Sequence, residues 1–218
     1  MIRRILLAAT FLWVTMALPL AFSTARAQSE RVEVAGGLGY MFGGVADETL
    51  KEEGVETLQE ALSLDAAVNY GILANVRLKP KMQLELLWDQ QPTQLDAYDR
   101  ATGQPIKTVD VRVDYFHAGL LYSWSQTSRQ PFIGGTIGVT RMDPGEGFGS
   151  ETYVSAGPVF GYRTYLSRYF GIRFHTRLLV TYIPSGELFA DSSGEGFTHH
   201  KQTFMTVMQV GLGIILGW

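Results

Sequence analysis

Seven charged or strongly polar side chains interrupt stretches of the sequence that otherwise consist of apolar residues and glycine. They are Glu85, Asp89, Arg163, Arg173, His175, Arg177 and Gln209. Arg173, His175 and Arg177 recur at every second position, which places them on one face if the segment is a β-strand. Enclosed together, such groups could form ion pairs, line a narrow polar pore or take part in acid–base chemistry. We favour pairing of Glu85 with Arg173 or Arg177, because unpaired buried charges are costly.

The histidines and serines do not form a catalytic pattern in the sequence. The four histidines are His117, His175, His199 and His200, and none belongs to a His-x-Ser motif. Adjacent residues of a strand point to opposite faces, so His199 and His200 could not share a metal ion there. The chain has no cysteine, which excludes thiolate zinc sites and a cysteine nucleophile. We therefore assign no catalytic residue, cofactor or metal site, and we predict that the chain is not an enzyme.

The segment that carries Gln209 has the clearest strand pattern. Every second residue from Phe204 to Trp218 is apolar except Thr206, whereas the intervening positions are mostly small or polar. Alternation of this kind predicts a β-strand with one apolar face. Similar alternation predicts seven further strands, in the segments 32–42, 62–72, 84–89, 109–124, 133–140, 154–163 and 172–182.

The segment 109–124 allows two interpretations, because its apolar residues change parity half-way. A β-bulge near Phe116 and His117 would reset the register. Alternatively, the first half of the strand projects beyond a membrane and only the second half faces lipid. We favour the second interpretation, in which the lipid-facing residues are Phe116, Ala118, Leu120, Tyr122 and Trp124.

The connections between these segments alternate in length. The short ones lie near residues 78–81, 125–130 and 166–169, and the long ones span 44–61, 90–108, 142–151 and 184–201. Short turns at one rim and long loops at the other are typical of outer-membrane barrels. Because lipid offers the backbone no hydrogen-bond partner, the strands must close into a ring. The sequence thus predicts an all-β, eight-stranded antiparallel up-and-down transmembrane barrel; a soluble sandwich or calycin-like barrel, with its apolar faces inward, is the alternative.

Two features of the predicted connections and rims follow from this layout. In the first long loop, apolar residues at helical spacing over 48–62 predict a short surface helix. At the two rims, aromatic residues are placed to form interfacial girdles; they are Tyr40, Phe42, Trp88, Tyr122, Trp124, Phe132, Phe170 and Tyr182.

The N-terminal 27 residues have the features of a secretory signal peptide. Arg3 and Arg4 precede an apolar stretch, and Ala25-Arg26-Ala27 is an A-x-A-type cleavage site. An uncleaved membrane anchor is the alternative. We predict a signal peptide over 1–27 and a barrel domain over 28–218. The net charge of −3, from 18 Lys and Arg against 21 Asp and Glu, argues against nucleic-acid binding.

The last strand resembles the C-terminal strand of bacterial outer-membrane barrels, which ends in an aromatic residue with apolar residues at alternate positions before it. The matching residues are Val210, Leu212, Ile214, Leu216 and Trp218. The resemblance implies that the barrel-assembly machinery recognises these residues. In layout the chain is similar to the OmpA transmembrane domain, OmpX and the porin-family eight-stranded proteins, which implies a place in the bacterial outer membrane, in contact with its lipid and lipopolysaccharide.

This fold supports several functions, so it does not identify one. We predict a monomer with a plugged polar lumen and a structural or surface-interaction role through its long extracellular loops, with an unknown surface or envelope partner. A narrow ion or solute channel is the main alternative, and a lipid-modifying enzyme a further one.

Overall fold

The computed structural model describes residues 32–46, 60–99, 105–145, 149–184, 186–188, 197–199 and 203–217. Within them there is no helix long and apolar enough to span a membrane. The described residues form the strands β1 (Val32–Phe42), β2 (Val45–Ala46), β3 (Glu60–Leu64), β4 (Ala67–Lys79), β5 (Met82–Asp99), β6 (Pro105–Ser123), β7 (Arg129–Asp143), β8 (Glu151–Tyr165), β9 (Phe170–Ile183), β10 (Gly186–Leu188), β11 (Phe197–His199) and β12 (Thr203–Gly217).

Eight of these strands close into a barrel. Around the ring the order is β1, β4, β5, β6, β7, β8, β9 and β12, and every neighbouring pair is antiparallel. The first and last strands pair from Glu33 opposite Gly217 to Phe42 opposite Met208. Closure leaves these strands no free edge where lipid surrounds them, which confirms the predicted fold class.

Apolar side chains cover the outside of the barrel. Leu38, Ile137 and Phe204 are 65%, 63% and 60% exposed, and each long strand contributes exposed apolar residues at alternate positions. A continuous apolar surface of this extent would be unfavourable in water. It is the band expected where strands contact the acyl chains of a bilayer.

Strand β6 keeps one register with β5 from Lys107 to Tyr122, and the register shifts only at the end near Pro105. Its pairing with β5 runs without a break from Met82 opposite Tyr122 to Ala97 opposite Lys107. Val113 and Tyr115 point inward with no exposed surface, whereas Phe116 points outward. The structure therefore has no bulge near Phe116, and Phe116, Ala118, Leu120, Tyr122 and Trp124 share the outer face, as the favoured interpretation predicts.

Three sequence predictions about the connections are wrong in part. Most of the predicted loop 90–108 belongs to β5 and β6, which continue as a paired hairpin. The predicted strand 62–72 is interrupted after β3, so that Leu64 is buried whereas Val68, after the break, is exposed. The end of the predicted surface helix belongs to β3, which pairs with β5; residues 48–59 of that prediction lie outside the described residues.

Candidate functional site

Barrels of this kind have their short turns on the periplasmic side and their long loops outside the cell, and we assign the two ends of this barrel accordingly. The periplasmic half of the lumen is closed by an ion pair with several hydrogen-bond partners. Arg163 Nη1 lies 3.0 Å from Glu33 Oε2, and both side chains are enclosed. Arg163 also donates to Gln83 and, over 3.3 Å, to Ser123 Oγ. The Tyr165 hydroxyl donates to Glu33 Oε1 over 2.6 Å. These contacts join β1, β5, β6 and β8 across the barrel.

At the middle of the barrel, Glu85 lies between two arginines. Its carboxylate oxygens are 2.5 Å from Arg173 Nη1 and 2.7 Å from Arg177 Nη2, and all three side chains have no exposed surface. The pairing anticipated from the sequence is present with both partners at once. A single carboxylate therefore contacts two guanidinium groups that enter from the opposite wall on β9.

The network continues from Arg177 to the wall formed by β4, β5 and β12. Arg177 donates to Gln209 Oε1 over 3.0 Å, and Gln209 in turn donates to Asp89. Asp89 also accepts a hydrogen bond of 2.7 Å from Asn69. We call Glu33, Glu85, Asp89, Arg163, Arg173 and Arg177 the charged layer. It contains three acids and three arginines.

Glycine makes room for the side chains that cross the lumen. His175 is enclosed and faces Gly211 on the neighbouring strand. A Cβ at Gly211 would lie 2.5 Å from His175 Cε1. A larger residue at 211 would therefore displace the imidazole, which explains one of the glycines on the second face of β12.

Phe132 lies inside the barrel, so its assignment to an aromatic girdle is wrong. It is 1% exposed, and the guanidinium carbons of Arg163 and Arg173 lie 4.8 and 4.6 Å from its ring centroid. The reason is parity: Ile133, the next residue, faces outward, and neighbours on a strand point to opposite faces. The ring separates two cations, and the contacts with them are of the cation–π type.

A chain of hydroxyl groups and one imidazole crosses the interior. His117 Nε2 lies 2.8 Å from Ser155 Oγ, and its Nδ1 lies 3.3 Å from Thr136 Oγ1. Thr140 links Ser155 to Thr181 over 2.8 and 3.1 Å. Sequence reasoning did not group these residues, because they lie on four strands and no motif connects them.

The extracellular end of the lumen is mostly apolar. Twelve buried side chains pack against one another there, and we call them the apolar cap: Met41, Leu64, Leu95, Val111, Val113, Tyr115, Met142, Tyr153, Leu179, Ile183, Met205 and Val207. None is more than 7% exposed. The interior of the barrel is thus closed twice, by the charged layer and by the apolar cap.

Above the apolar band, the outward face of β5 and β6 becomes polar. Trp88 and Phe116 form the last apolar rung, and the next rung is Gln90 opposite Asp114. Gln90 and the Trp88 indole both donate to Asp114, over 2.8 and 3.2 Å. Further along, Gln94 donates to Asp110 over 2.8 Å and Thr108 donates to Asp96 over 2.6 Å. We call residues 90–99 and 105–114 the outer hairpin; the change of polarity indicates that it stands clear of the lipid.

The other girdle residues lie on the outer surface. Seven of the eight predicted positions face outward, namely Tyr40, Phe42, Trp88, Tyr122, Trp124, Phe170 and Tyr182. Phe204, which the sequence reasoning left out, packs against Tyr182 with ring centroids 5.5 Å apart. The alternate residues Val210, Leu212, Ile214 and Leu216 of β12 also face outward, and Trp218 lies outside the described residues. Residues 1–27, His200 and the side chain of His199 also lie outside the described residues.

Comparison of the structure with known folds gives a consistent class. Neisserial surface protein A aligns with a TM-score of 0.57 at 12% identity, over 86% of this chain and 97% of that protein. The Pseudomonas aeruginosa outer-membrane protein OprG aligns with a TM-score of 0.58 at 14% identity, over 88% and 98%. The outer-membrane protein AlkL aligns with a TM-score of 0.50 at 11% identity, over 92% and 97%. The chain has the fold of a small outer-membrane β-barrel.

This fold and the exposed apolar band place the protein in the bacterial outer membrane, as the sequence predicted. No protein-family profile matches the chain, and no curated protein matches it by sequence. At identities this low the likeness shows the fold alone, so function has to be argued from the lumen and the surface.

Proposed function

We propose that this protein is a non-conducting outer-membrane barrel with a structural role and a role in surface interaction. The observation that carries the proposal is the double closure of the lumen. An ion crossing the barrel would have to pass the packed apolar cap and then separate the ion pairs of Glu85 and Glu33. Both steps are costly, since an ion in the cap would lose its hydration and a broken pair would leave buried charges unpaired.

Conductance in a planar bilayer tests the closed lumen. We expect no stable openings from the reconstituted protein in a membrane where a general porin gives steps. The competing function is a narrow channel lined by Glu85, Arg173 and Arg177. It would show stable openings whose size changes in the Arg173→Ala variant, and that result would overturn the proposal.

The outer hairpin is the described surface best placed to meet a partner. It stands beyond the apolar band, is ordered by cross-strand hydrogen bonds and is further tied to the β7 end by Arg112, whose Nη2 lies 2.6 Å from Asp143 Oδ2. A rigid edge of this kind can bind without losing much conformational freedom. We propose that the hairpin and the long loops contact a macromolecule at the cell surface.

Photo-crosslinking in intact cells tests the surface role. A photoreactive residue at Gln94 should give a discrete protein or glycan adduct, and one at Asp110, across the hairpin, should give the same adduct. The same residue at Ile137, in the apolar band, is the control and should give none. Folded protein that forms no adduct at either hairpin position would contradict the surface role.

We propose further that the protein is not an enzyme. The spacing of His117 and Ser155 would suit activation of a serine nucleophile. However, the two residues are only 4% and 1% exposed, and they lie inside the closed barrel. Labelling by a fluorophosphonate probe, with Ser155→Ala as the control, should detect no reactive serine; labelling that Ser155→Ala abolishes would reverse this conclusion. Unaltered lipid A on overexpression is expected as well.

We propose that the barrel-assembly machinery recognises the outward face of β12 together with Trp218. We propose that the protein is a monomer, because the charged layer is completed within one chain. We also propose that the outer surface lies next to lipopolysaccharide without binding its phosphate groups, because acidic residues predominate at the extracellular end.

A further inference from the structure

The periplasmic turns carry a set of basic residues. Lys79 and Lys81 flank Pro80 in the turn between β4 and β5, Arg129 begins β7, and Arg168 lies in the turn between β8 and β9. We call these four residues the basic rim. Lys79, Lys81 and Arg168 are exposed and Arg129 is partly exposed. Among the described residues at this end the one acid is Glu33, which is enclosed and paired with Arg163.

The extracellular end has the opposite character. The sequence that connects β1 to β4, residues 43–66, contains seven acids and one lysine. On the described surface, Asp65 and Asp110 are exposed, and Arg112 is balanced by Asp114 and Asp143 at 3.5 and 2.6 Å. Charge is therefore separated along the barrel axis, with the positive end in the periplasm. Phosphate groups of lipopolysaccharide, on the outer side, would meet a surface of like charge.

Aromatic residues fix the depth of the basic rim. Tyr122 and Trp124 form an edge-to-face pair with ring centroids 6.2 Å apart, and Trp124 is 54% exposed. The guanidinium carbon of Arg168 lies 5.5 Å from the ring centroid of Tyr169, which is 57% exposed. Exposed tyrosine and tryptophan at the edge of an apolar band occupy the headgroup region of a bilayer. The cations beside them consequently lie at the depth of the lipid phosphates.

We propose that the basic rim binds the phosphate groups of anionic phospholipids in the inner leaflet of the outer membrane. Ammonium and guanidinium groups donate charge-assisted hydrogen bonds to phosphate oxygens. A cation close to an anionic bilayer surface raises association by about fivefold, and the attraction falls off within about 8 Å at physiological salt. Because the four residues lie on three turns around the ring, they would collect anionic lipid at several positions and hold the barrel at one depth.

Spin-label spectroscopy of lipids at the protein surface measures this preference. The full barrel is reconstituted in phosphatidylcholine vesicles with trace spin-labelled phosphatidylglycerol or spin-labelled phosphatidylcholine, and the motionally restricted fraction gives their relative association constant. We expect phosphatidylglycerol to be preferred by at least about twofold in low salt. The ratio of the two association constants should fall toward one in the variant K79Q/K81Q/R129Q/R168Q. It should also fall toward one in 0.5 M salt, a concentration of about three times the physiological value.

A matched pair of variants separates the two ends of the barrel. K79Q/K81Q removes two cations from the periplasmic turn and should lower the preference, whereas R112Q/R141Q removes two from the extracellular end and should leave it unchanged. Heat-modifiable gel migration checks that each variant folds. If the fourfold variant does not fold, K79Q/K81Q replaces it in the comparison, because its two changes are confined to an exposed turn. The proposal is overturned if the unaltered protein shows no preference, if K79Q/K81Q retains all of it, or if R112Q/R141Q loses as much.

Discussion

Replacement of Glu85 by glutamine is the most informative single change in the lumen. Glutamine keeps the size and shape of the side chain and removes its charge. The two arginines that Glu85 contacts, Arg173 at 2.5 Å and Arg177 at 2.7 Å, would then share no carboxylate. The charged layer would retain three arginines against the two acids Glu33 and Asp89.

The expected cost follows from the burial of all three partners, none of which has exposed surface. Removing one member of a buried ion pair typically costs about 3–5 kcal/mol, because the remaining charge stays desolvated. Domains are commonly stable by only about 5–15 kcal/mol, so Glu85→Gln should remove a large part of the free energy of unfolding. Asp110→Asn, on the exposed outer hairpin, is the control and should change it by less than about 0.5 kcal/mol.

Urea unfolding in lipid vesicles, followed by tryptophan fluorescence and gel migration, measures these free energies. The double variant Glu85→Gln/Arg173→Gln restores the charge balance and should be more stable than Glu85→Gln alone, giving a coupling energy of about 1 kcal/mol or more. If Glu85→Gln unfolds within about 0.5 kcal/mol of the unaltered protein, the charged layer is not a desolvated network and the reasoning fails.

Three further predictions concern packing and lipid contact. A Cβ at Gly138 would lie 1.9 Å from the Phe116 carbonyl oxygen, whereas one at Gly135 would meet nothing within 4 Å, so Gly138→Ala should destabilise the barrel by about 1–3 kcal/mol and Gly135→Ala should be tolerated in the same urea assay. Phe132→Ala should lower the free energy of unfolding by about 3–5 kcal/mol through loss of a buried ring, and an effect as small as that of an exposed position would contradict its place between two arginines. Ile137→Arg, in the apolar band, should cost about 2–4 kcal/mol, whereas Gln94→Arg on the outer hairpin should cost almost nothing; equal costs would show that both sites face the same solvent.

The strands and their faces were predictable because alternation encodes them directly. The spacing of two residues is enough to predict that Arg173, His175 and Arg177 share one face of a strand. The same rule, applied strictly, would have placed Phe132 inside, since Ile133 next to it faces outward. Its assignment to a girdle followed residue type and proximity to a turn instead of parity.

The pairing inside the lumen was predictable only where few partners were available. Glu85 had two candidate arginines, and the structure joins it to both. The partnership of Arg163 with Glu33 could not be derived, because it depends on which strands face each other across the closed ring. His117 and Ser155 are likewise brought together by the register of β6, β7 and β8, and no local sequence feature records that register.

The part of the outer hairpin within 90–108 is not predicted as strand, because few residues there are apolar and their alternation is weak. Gln90, Gln94 and Asp110 are polar because that part of the sheet leaves the lipid, and its outward face meets water. On the inward face of the same segment, Leu95, Val111 and Val113 are apolar because they belong to the cap. A strand that crosses from lipid to water reverses its pattern without any change in backbone geometry.

The exposed apolar band contacts acyl chains, whereas the charged layer is enclosed, and a label on each side of the membrane boundary tests this arrangement directly. The chain contains no cysteine, so a spin label attached to one introduced cysteine reports on one position. The protein is labelled at Leu120 or at Arg112, both on β6, and reconstituted in vesicles. Oxygen concentrates in lipid, whereas a nickel complex stays in water, and the collision rate of each label with the two reagents is measured. We predict that oxygen dominates at Leu120 and that the nickel complex dominates at Arg112. Predominant collision with nickel at Leu120 would show that the apolar face lies in water, and it would contradict the account.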